Sequence, residues 1–94
     1  MVNNKRLEAF QAINTERDYQ EARWASQTGK DAGTNGHTVD EFSLYILSYA
    51  QDLAKLASTT RGNDTKLDFV RKVTALGVAC MEQHGAPHRE INRS

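Results

Sequence analysis

Residues 67–87 read LDFVRKVTALGVACMEQHGAP, which is the most apolar stretch of the chain and the one with the clearest end signal. Apolar or small residues recur here at intervals of three and four, the spacing of one helix face. Gly85 accepts left-handed backbone angles, and Pro87 cannot continue a helix. The sequence therefore predicts a helix that begins at an N-cap of Asp64 or Thr65 and ends just before Gly85.

Two apolar stripes run along this predicted helix and together cover more than half of its circumference. We therefore predict that it is the central helix, with neighbours packed on two sides. Gly77 costs roughly 1 kcal/mol of helix propensity relative to Ala, and its expected use is the close approach of a neighbouring helix. The first stripe is Leu67, Val70, Val73, Thr74, Gly77, Cys80 and Met81; the second is Phe69, Val73, Leu76 and Cys80; the polar side holds Arg71, Lys72 and Glu82.

A second helix is predicted over about 39–58. It opens with the capping box Thr38-x-x-Glu41, in which each residue satisfies a backbone N–H of the other. Leu44 and Leu47 lie outside its main stripe, which predicts contact with the first helix or a subunit interface. The main stripe is Phe42, Tyr45 or Ile46, Tyr49, Leu53 and Leu56.

The N-terminal region leaves two alternatives open. A helix over 4–14 either ends there or continues to about residue 27, in which case its apolar face becomes polar. The longer helix then either leaves the core with Trp24 as an anchor, or forms a pocket wall in which Arg17 and Gln20 hold a polar ligand. The apolar face of the first part is Leu7, Phe10 and Ile13.

The composition predicts one domain over 1–87 and a flexible tail over 88–94, since the chain has 94 residues. Twelve basic residues balance twelve acidic ones, which argues against general DNA binding or a membrane-surface role. The lone Cys80 indicates a reduced, cytoplasmic setting. No apolar segment resembles a signal peptide or a membrane span. The predicted fold is all-α, a small antiparallel bundle of three to four helices, oligomeric because its core is small.

Residues 26–38, SQTGKDAGTNGHT, are predicted to be a loop, since they contain three glycines and several small polar residues. The loop lacks the G-x-x-x-x-G-K-[ST] phosphate motif. It is either a flexible connector or a mobile segment whose Lys30 and His37 close over a ligand. No metal site is predicted, because Asp64 and Asp68 are explained by helix capping. The side chains that could hold a phosphate without metal are Arg17, Lys30, Arg71 and Lys72.

Residues 16–24 read E-R-x-x-Q-x-x-R-W, and a glycine-rich loop and an acidic helix start at Asp40-Glu41 follow. This layout, over about residues 13–87, resembles small phage-encoded helical proteins similar to the MazG-like nucleoside triphosphate pyrophosphohydrolases. Those enzymes carry E-E-x-x-E and E-x-x-D motifs on successive helices, which bind Mg²⁺ against the triphosphate. Here Leu44 stands where the third acid is expected, and the second motif is also absent.

The resemblance implies a non-catalytic nucleotide-binding protein, oligomeric and phage-encoded, that sequesters a nucleotide immune signal such as a cyclic nucleotide in the cytoplasm of an infected bacterial host. One alternative is a MazG-like pyrophosphohydrolase with rearranged acids, and only this alternative needs Mg²⁺ as a cofactor. The other is a helical interaction module that inhibits a host factor through Leu44 and Leu47. The predicted ligand-binding residues are Arg17 and Arg71 for phosphate, Trp24 or Tyr45 for base stacking, Gln20 for a polar contact, and Lys30 and His37 from the loop.

Overall fold

A computed structural model describes residues 3–28 and 36–90, with the backbone alone described at 25–28. Within these residues the chain forms three helices and no strand: α1 (Asn4–Thr28), α2 (Val39–Ala57) and α3 (Asn63–His84). The prediction of an all-α fold is confirmed. No helix in this part of the chain combines the length and the apolar character that crossing a membrane requires.

Helix α1 is continuous, so the longer of the two N-terminal alternatives is correct. The Thr15 hydroxyl donates a hydrogen bond to the Ala12 carbonyl at 2.7 Å, within the helix, instead of capping a new one. The helix extends to Thr28. The first three residues of the predicted loop at 26–38 are therefore helical.

The start of α2 matches its prediction and the start of α3 does not. The Thr38 hydroxyl accepts from the Glu41 N–H at 3.0 Å, and the Glu41 carboxylate accepts from the Thr38 N–H at 2.9 Å. Helix α3 begins earlier than predicted, with Gly62 as its N-cap and no side-chain hydrogen bond. The predicted N-caps, Asp64 and Thr65, both lie inside the helix.

The end of α3 is at the predicted place. Gly85 adopts a φ of +112°, a conformation that other residues rarely reach. Its N–H donates to the Met81 carbonyl at 2.9 Å, which satisfies one of the last carbonyls of the helix.

Helix α3 is the central helix, as predicted. Both other helices pack on it, whereas the Cα atoms of α1 and α2 make no approach within 8 Å among the described residues. The core is small: the buried apolar side chains are Phe42 from α2 and Ala75, Leu76 and Ala79 from α3. A single apolar layer between α2 and α3 therefore supplies most of the hydrophobic stabilisation.

The faces that α3 uses differ from the prediction. Its first stripe lies largely in solvent, since Leu67 is 59% exposed and Met81 is 45% exposed. A Cβ added at Gly77 would meet no atom within 4 Å, so no neighbouring helix approaches there. Helix α1 packs instead on the side that was predicted to be polar, where Arg17 pairs with Glu82 and Glu16 pairs with Arg71.

The burial of α1 is the reverse of its apolar pattern. Leu7 and Phe10 are exposed, the latter by 60%, whereas Glu16, Arg17 and Gln20 are buried. The interpretation in which the second half of α1 leaves the core is therefore wrong. The helix leaves the core at its N-terminal half, because its buried contacts to α3 are ion pairs and hydrogen bonds located in the second half.

Candidate functional site

Arg17 lies at the centre of the contact between α1 and α3 and is only 5% exposed. Its Nε donates to a Glu82 oxygen at 2.6 Å, its Nη2 to Glu21 at 2.5 Å and its Nη1 to Gln20 at 3.3 Å. All three guanidinium nitrogens therefore have partners inside the chain. A phosphate would have to displace a carboxylate to reach Arg17.

The pKa of Arg17 follows from this environment. Burial by itself lowers the pKa of the guanidinium, but the hydrogen bonds and negative charges of Glu82 and Glu21 outweigh burial and raise it above its ordinary value. Arg17 is thus a fixed cation whose charge is neutralised by its neighbours.

Arg71, the second predicted phosphate ligand, forms a separate ion-pair group. Its Nε donates to Glu16 at 2.7 Å and its Nη1 to Asp68 at 2.8 Å. Hydrogen bonds to Glu16 and then Asp68 raise the pKa of Arg71. The buried carboxylate in this pair is Glu16, so Arg71 serves first to neutralise a charge that α1 brings against α3.

Three of the predicted ligand-binding residues meet in an aromatic cluster, which we define as Trp24, His37, Phe42, Tyr45 and His84. The His37 ring lies 5.6 Å from the Trp24 ring and 5.5 Å from the Tyr45 ring, both edge to face. Phe42 lies beneath them, 6.5 Å from Trp24 and 6.3 Å from His84. These rings bring the ends of all three helices together. The quadrupoles of the rings favour the edge-to-face geometry seen here.

A hydrogen bond within this cluster joins His84, at the end of α3, to the backbone just before α2. Its Nε2 lies 2.7 Å from the His37 carbonyl oxygen. A carbonyl can only accept, so the His84 Nε2 carries the proton in this contact. The cluster is therefore held by a directional bond as well as by ring packing.

A cleft of about 240 Å³ lies between the three helices, next to the aromatic cluster. Its aromatic walls are Tyr19 and Trp24 from α1 and Tyr49 from α2. Three aromatic rings in one small cleft offer a surface on which a planar ring can stack. Of the predicted site residues, Gln20 and Trp24 line this cleft.

Two cations, Arg23 and Lys72, stand at the cleft. In the described part of the chain neither forms an ion pair with a carboxylate. Arg23 donates to the Tyr19 hydroxyl at 3.4 Å, and the Lys72 ammonium lies 4.9 Å from the Phe69 ring centroid. Such a ring contact stabilises by about 0.5–1 kcal/mol at an exposed site, less than the about 1.5–3 kcal/mol of a charged hydrogen bond. An anion in the cleft would therefore recruit Lys72.

The remaining walls are Glu16, Gln20 and Leu76. The Gln20 amide donates to the Lys72 carbonyl at 3.4 Å, which holds α1 against α3 on the floor of the cleft. Glu16 is already neutralised by Arg71. The net charge at the cleft is consequently positive and comes from Arg23 and Lys72.

Sequence reasoning missed most of this cleft. Arg23 belongs to the E-R-x-x-Q-x-x-R-W segment and follows Tyr19 by one helical turn, a signal that could have revealed it. Lys72 was among the predicted phosphate holders, whereas Arg17 and Arg71 are occupied by carboxylates. The predicted contribution of Lys30 lies outside the described residues.

A second, more open depression of about 480 Å³ lies near the connection between α2 and α3. Its lining includes Lys55, Arg61 and Phe69 and none of the predicted ligand-binding residues. No three His, Cys, Asp or Glu side chains in residues 3–28 and 36–90 converge in a way that could hold a metal ion. The cleft is therefore the better candidate site.

Comparison with known proteins adds no further assignment. No protein family model, curated protein or solved structure matches this chain. The site is accordingly interpreted from its own geometry.

Proposed function

We propose that this protein binds a nucleotide in the cleft between its three helices and sequesters it without hydrolysing it. The observation that carries the proposal is the combination of three aromatic rings with two cations that form no ion pair with a carboxylate among the described residues. Tyr19, Trp24 and Tyr49 would hold the base, and Arg23 and Lys72 would hold the phosphate. The cleft volume of about 240 Å³ is below the about 300–1,000 Å³ of typical ligand pockets, so only part of a nucleotide would lie inside it.

The finer parts of the proposal rest on sequence. The motif resemblance supports a phage-encoded protein that withholds a nucleotide immune signal, and the incomplete acidic motifs support binding without turnover. A dinucleotide would place its second unit outside the cleft. Arg17 and Arg71 then have a supporting role, because their ion pairs position α1, which supplies five of the eight residues that line the cleft.

The test uses Trp24, the single tryptophan of the chain, as a fluorescent reporter. The intact protein is titrated with mononucleotides, cyclic mononucleotides and cyclic dinucleotides, with product analysis by chromatography. We expect saturable quenching, no product, and about tenfold weaker binding for Lys72→Ala and for Arg23→Ala. Arg6→Ala is the matched control, since Arg6 is an exposed cation in the first turns of α1, away from the cleft.

Each other result has a definite meaning. An equal loss of nucleotide affinity in Arg6→Ala would show that the nucleotide is attracted by charge alone, without a specific site. Release of pyrophosphate in the presence of Mg²⁺ would establish the MazG-like alternative. Absence of any quenching with a fully folded protein would contradict nucleotide binding in this cleft.

The interaction-module alternative also has an observation in its favour. Leu44 is 65% exposed, and Leu47 on the same side of α2 is exposed as well. Helix α1 does not cover them. This second function would be supported if the protein binds none of the nucleotides but retains one host protein in a pull-down. The Leu44→Glu variant should then no longer retain that host protein.

A further inference from the structure

Lys72 belongs to the cleft by its place on α3, but its charge lies over a ring outside the cleft. The residue is one of the cleft walls. Its ammonium lies 4.9 Å from the centroid of the Phe69 ring, within the range of a cation–π contact. Phe69 lines the second depression, near the connection between α2 and α3. The ammonium is therefore attracted to a ring that is not a wall of the cleft.

The backbone and the side chain of Lys72 are held in different ways. Its carbonyl accepts from the Gln20 amide at 3.4 Å, which fixes the backbone at the floor of the cleft. Within residues 3–28 and 36–90 its ammonium forms no ion pair, and the contact it makes is with the Phe69 ring. A flexible four-carbon stem carries that charge. The ammonium can therefore change position while the backbone stays in place.

Arg23, the other cation of the cleft, differs from Lys72 in this respect. Arg23 donates to the Tyr19 hydroxyl at 3.4 Å, and both of these residues line the cleft. Its charge is thus bonded within the site. A ligand that binds Lys72, in contrast, must compete with a contact that lies outside the site.

The Phe69 ring and a phosphate compete for the same ammonium. A cation–π contact at an exposed site changes an equilibrium constant by a factor of about two to five. A charged hydrogen bond to a phosphate is stronger, so a bound ligand draws the ammonium away from the ring. The apparent affinity is nevertheless lowered, because the ligand binds to the fraction of molecules in which Lys72 has left Phe69.

We infer that Phe69 regulates the cleft by holding the Lys72 ammonium away from it until an anion enters. In the empty protein the ammonium lies over the ring, and in the occupied protein it binds the phosphate. Phe69 is thus a positioning residue outside the cleft whose effect is to weaken binding. The inference rests on the proposed nucleotide function, in which Lys72 holds the phosphate.

The first test measures nucleotide affinity in Phe69→Leu, which removes the ring and keeps an apolar side chain. We expect the full chain with this substitution to bind about two- to fivefold more tightly than wild type, for the mononucleotides and cyclic nucleotides named above. In a Lys72→Met background the same substitution should leave affinity unchanged, because no ammonium remains to be released. Phe69→Tyr keeps a ring and should keep the wild-type affinity. Circular dichroism checks that each variant is folded.

The outcomes separate this inference from the proposed function. Equal or weaker nucleotide binding by a folded Phe69→Leu would overturn the inference and leave the proposed function in place. The same gain in the Lys72→Met background would also overturn it, because the gain would not depend on the ammonium. If wild type binds none of the nucleotides, the proposed function fails and the inference fails with it.

A second test follows Lys72 directly by NMR spectroscopy. In the free protein the ring current of Phe69 should shift the ε-methylene protons of Lys72 upfield, and Phe69→Leu should abolish this shift. Saturation with nucleotide should move the same protons downfield, as the ammonium leaves the ring. Lys5, an exposed residue in the first turn of α1, is the control and should keep its shifts in all three samples. Unshifted Lys72 protons in the free protein, or an upfield shift that persists at saturation, would overturn the inference.

Discussion

Helices α1 and α2 both pack on α3, but by different physical means. Helix α2 contributes the fully buried Phe42 to the apolar core, whereas α1 is held against α3 by Arg17 bonded to Glu82. Apolar burial stabilises in proportion to area and has little directional preference. A buried ion pair adds little net stability but requires one geometry. The α2 contact therefore supplies most of the stability, and the α1 contact supplies the position of the cleft walls.

The largest expected effect comes from breaking the apolar side. Phe42→Ala should destabilise the fold by about 3–5 kcal/mol, because it removes a fully buried ring and leaves a cavity. Urea unfolding followed by circular dichroism measures this loss. Leu44→Ala, on the exposed side of the same helix, should change the free energy of unfolding by less than about 0.5 kcal/mol. Similar losses in the two variants would contradict the assignment of the core.

An intermediate effect is expected from breaking the polar side. Arg17→Met should cost about 1–3 kcal/mol, because charged hydrogen bonds are lost while Glu82 and Glu21 remain partly hydrated. In the Arg17→Met variant, amide hydrogen exchange should accelerate relative to wild type more in α1 than in α2 and α3. Arg23→Met is the control on the same helix and should leave exchange unchanged. Uniform loss of protection in all three helices would mean that α1 and α2 are not attached independently.

The smallest effect concerns the charged cap at the start of α2. Hydrogen bonds from the Thr38 backbone and side chain lower the pKa of Glu41 below its ordinary 4.5. A carboxylate whose pKa falls on folding stabilises the fold above its unfolded pKa, and this contribution is lost as the pH falls through the folded value. Glu41→Gln should therefore be less stable than wild type at neutral pH, and the difference should shrink below about pH 4.5.

The pH series has its own control. Thr38→Ala removes the hydroxyl that accepts from Glu41 and should cost about 1 kcal/mol at neutral pH, the usual value of an N-cap. A difference between wild type and Glu41→Gln that stays constant from neutral to acid pH would show that the charge of Glu41 has no part in the cap.

How far the sequence predicts the site depends on whether the signal is local. Thr38 and Glu41 form the predicted capping box, since both groups lie within one turn. Trp24, His37 and Tyr45 were chosen for their chemistry, and the fold brings them together. Arg17 and Arg71 were chosen for their charge, but no local pattern reveals that Glu82 and Glu16 occupy them. Arg23 was passed over, although its motif was visible.

The sequence by itself determined the all-α fold, the cap of α2, the glycine end of α3 and the central place of α3, because these depend on periodicity and on contacts between close neighbours. Only the tertiary structure decided that α1 packs through Arg17 and Gln20 while Leu7 and Phe10 stay in solvent. The physical reason is that the partners of Arg17 and Gln20 lie more than fifty residues away on α3. The same packing leaves Leu67, Val70 and Met81 of α3 exposed, although their spacing alone predicts a buried face.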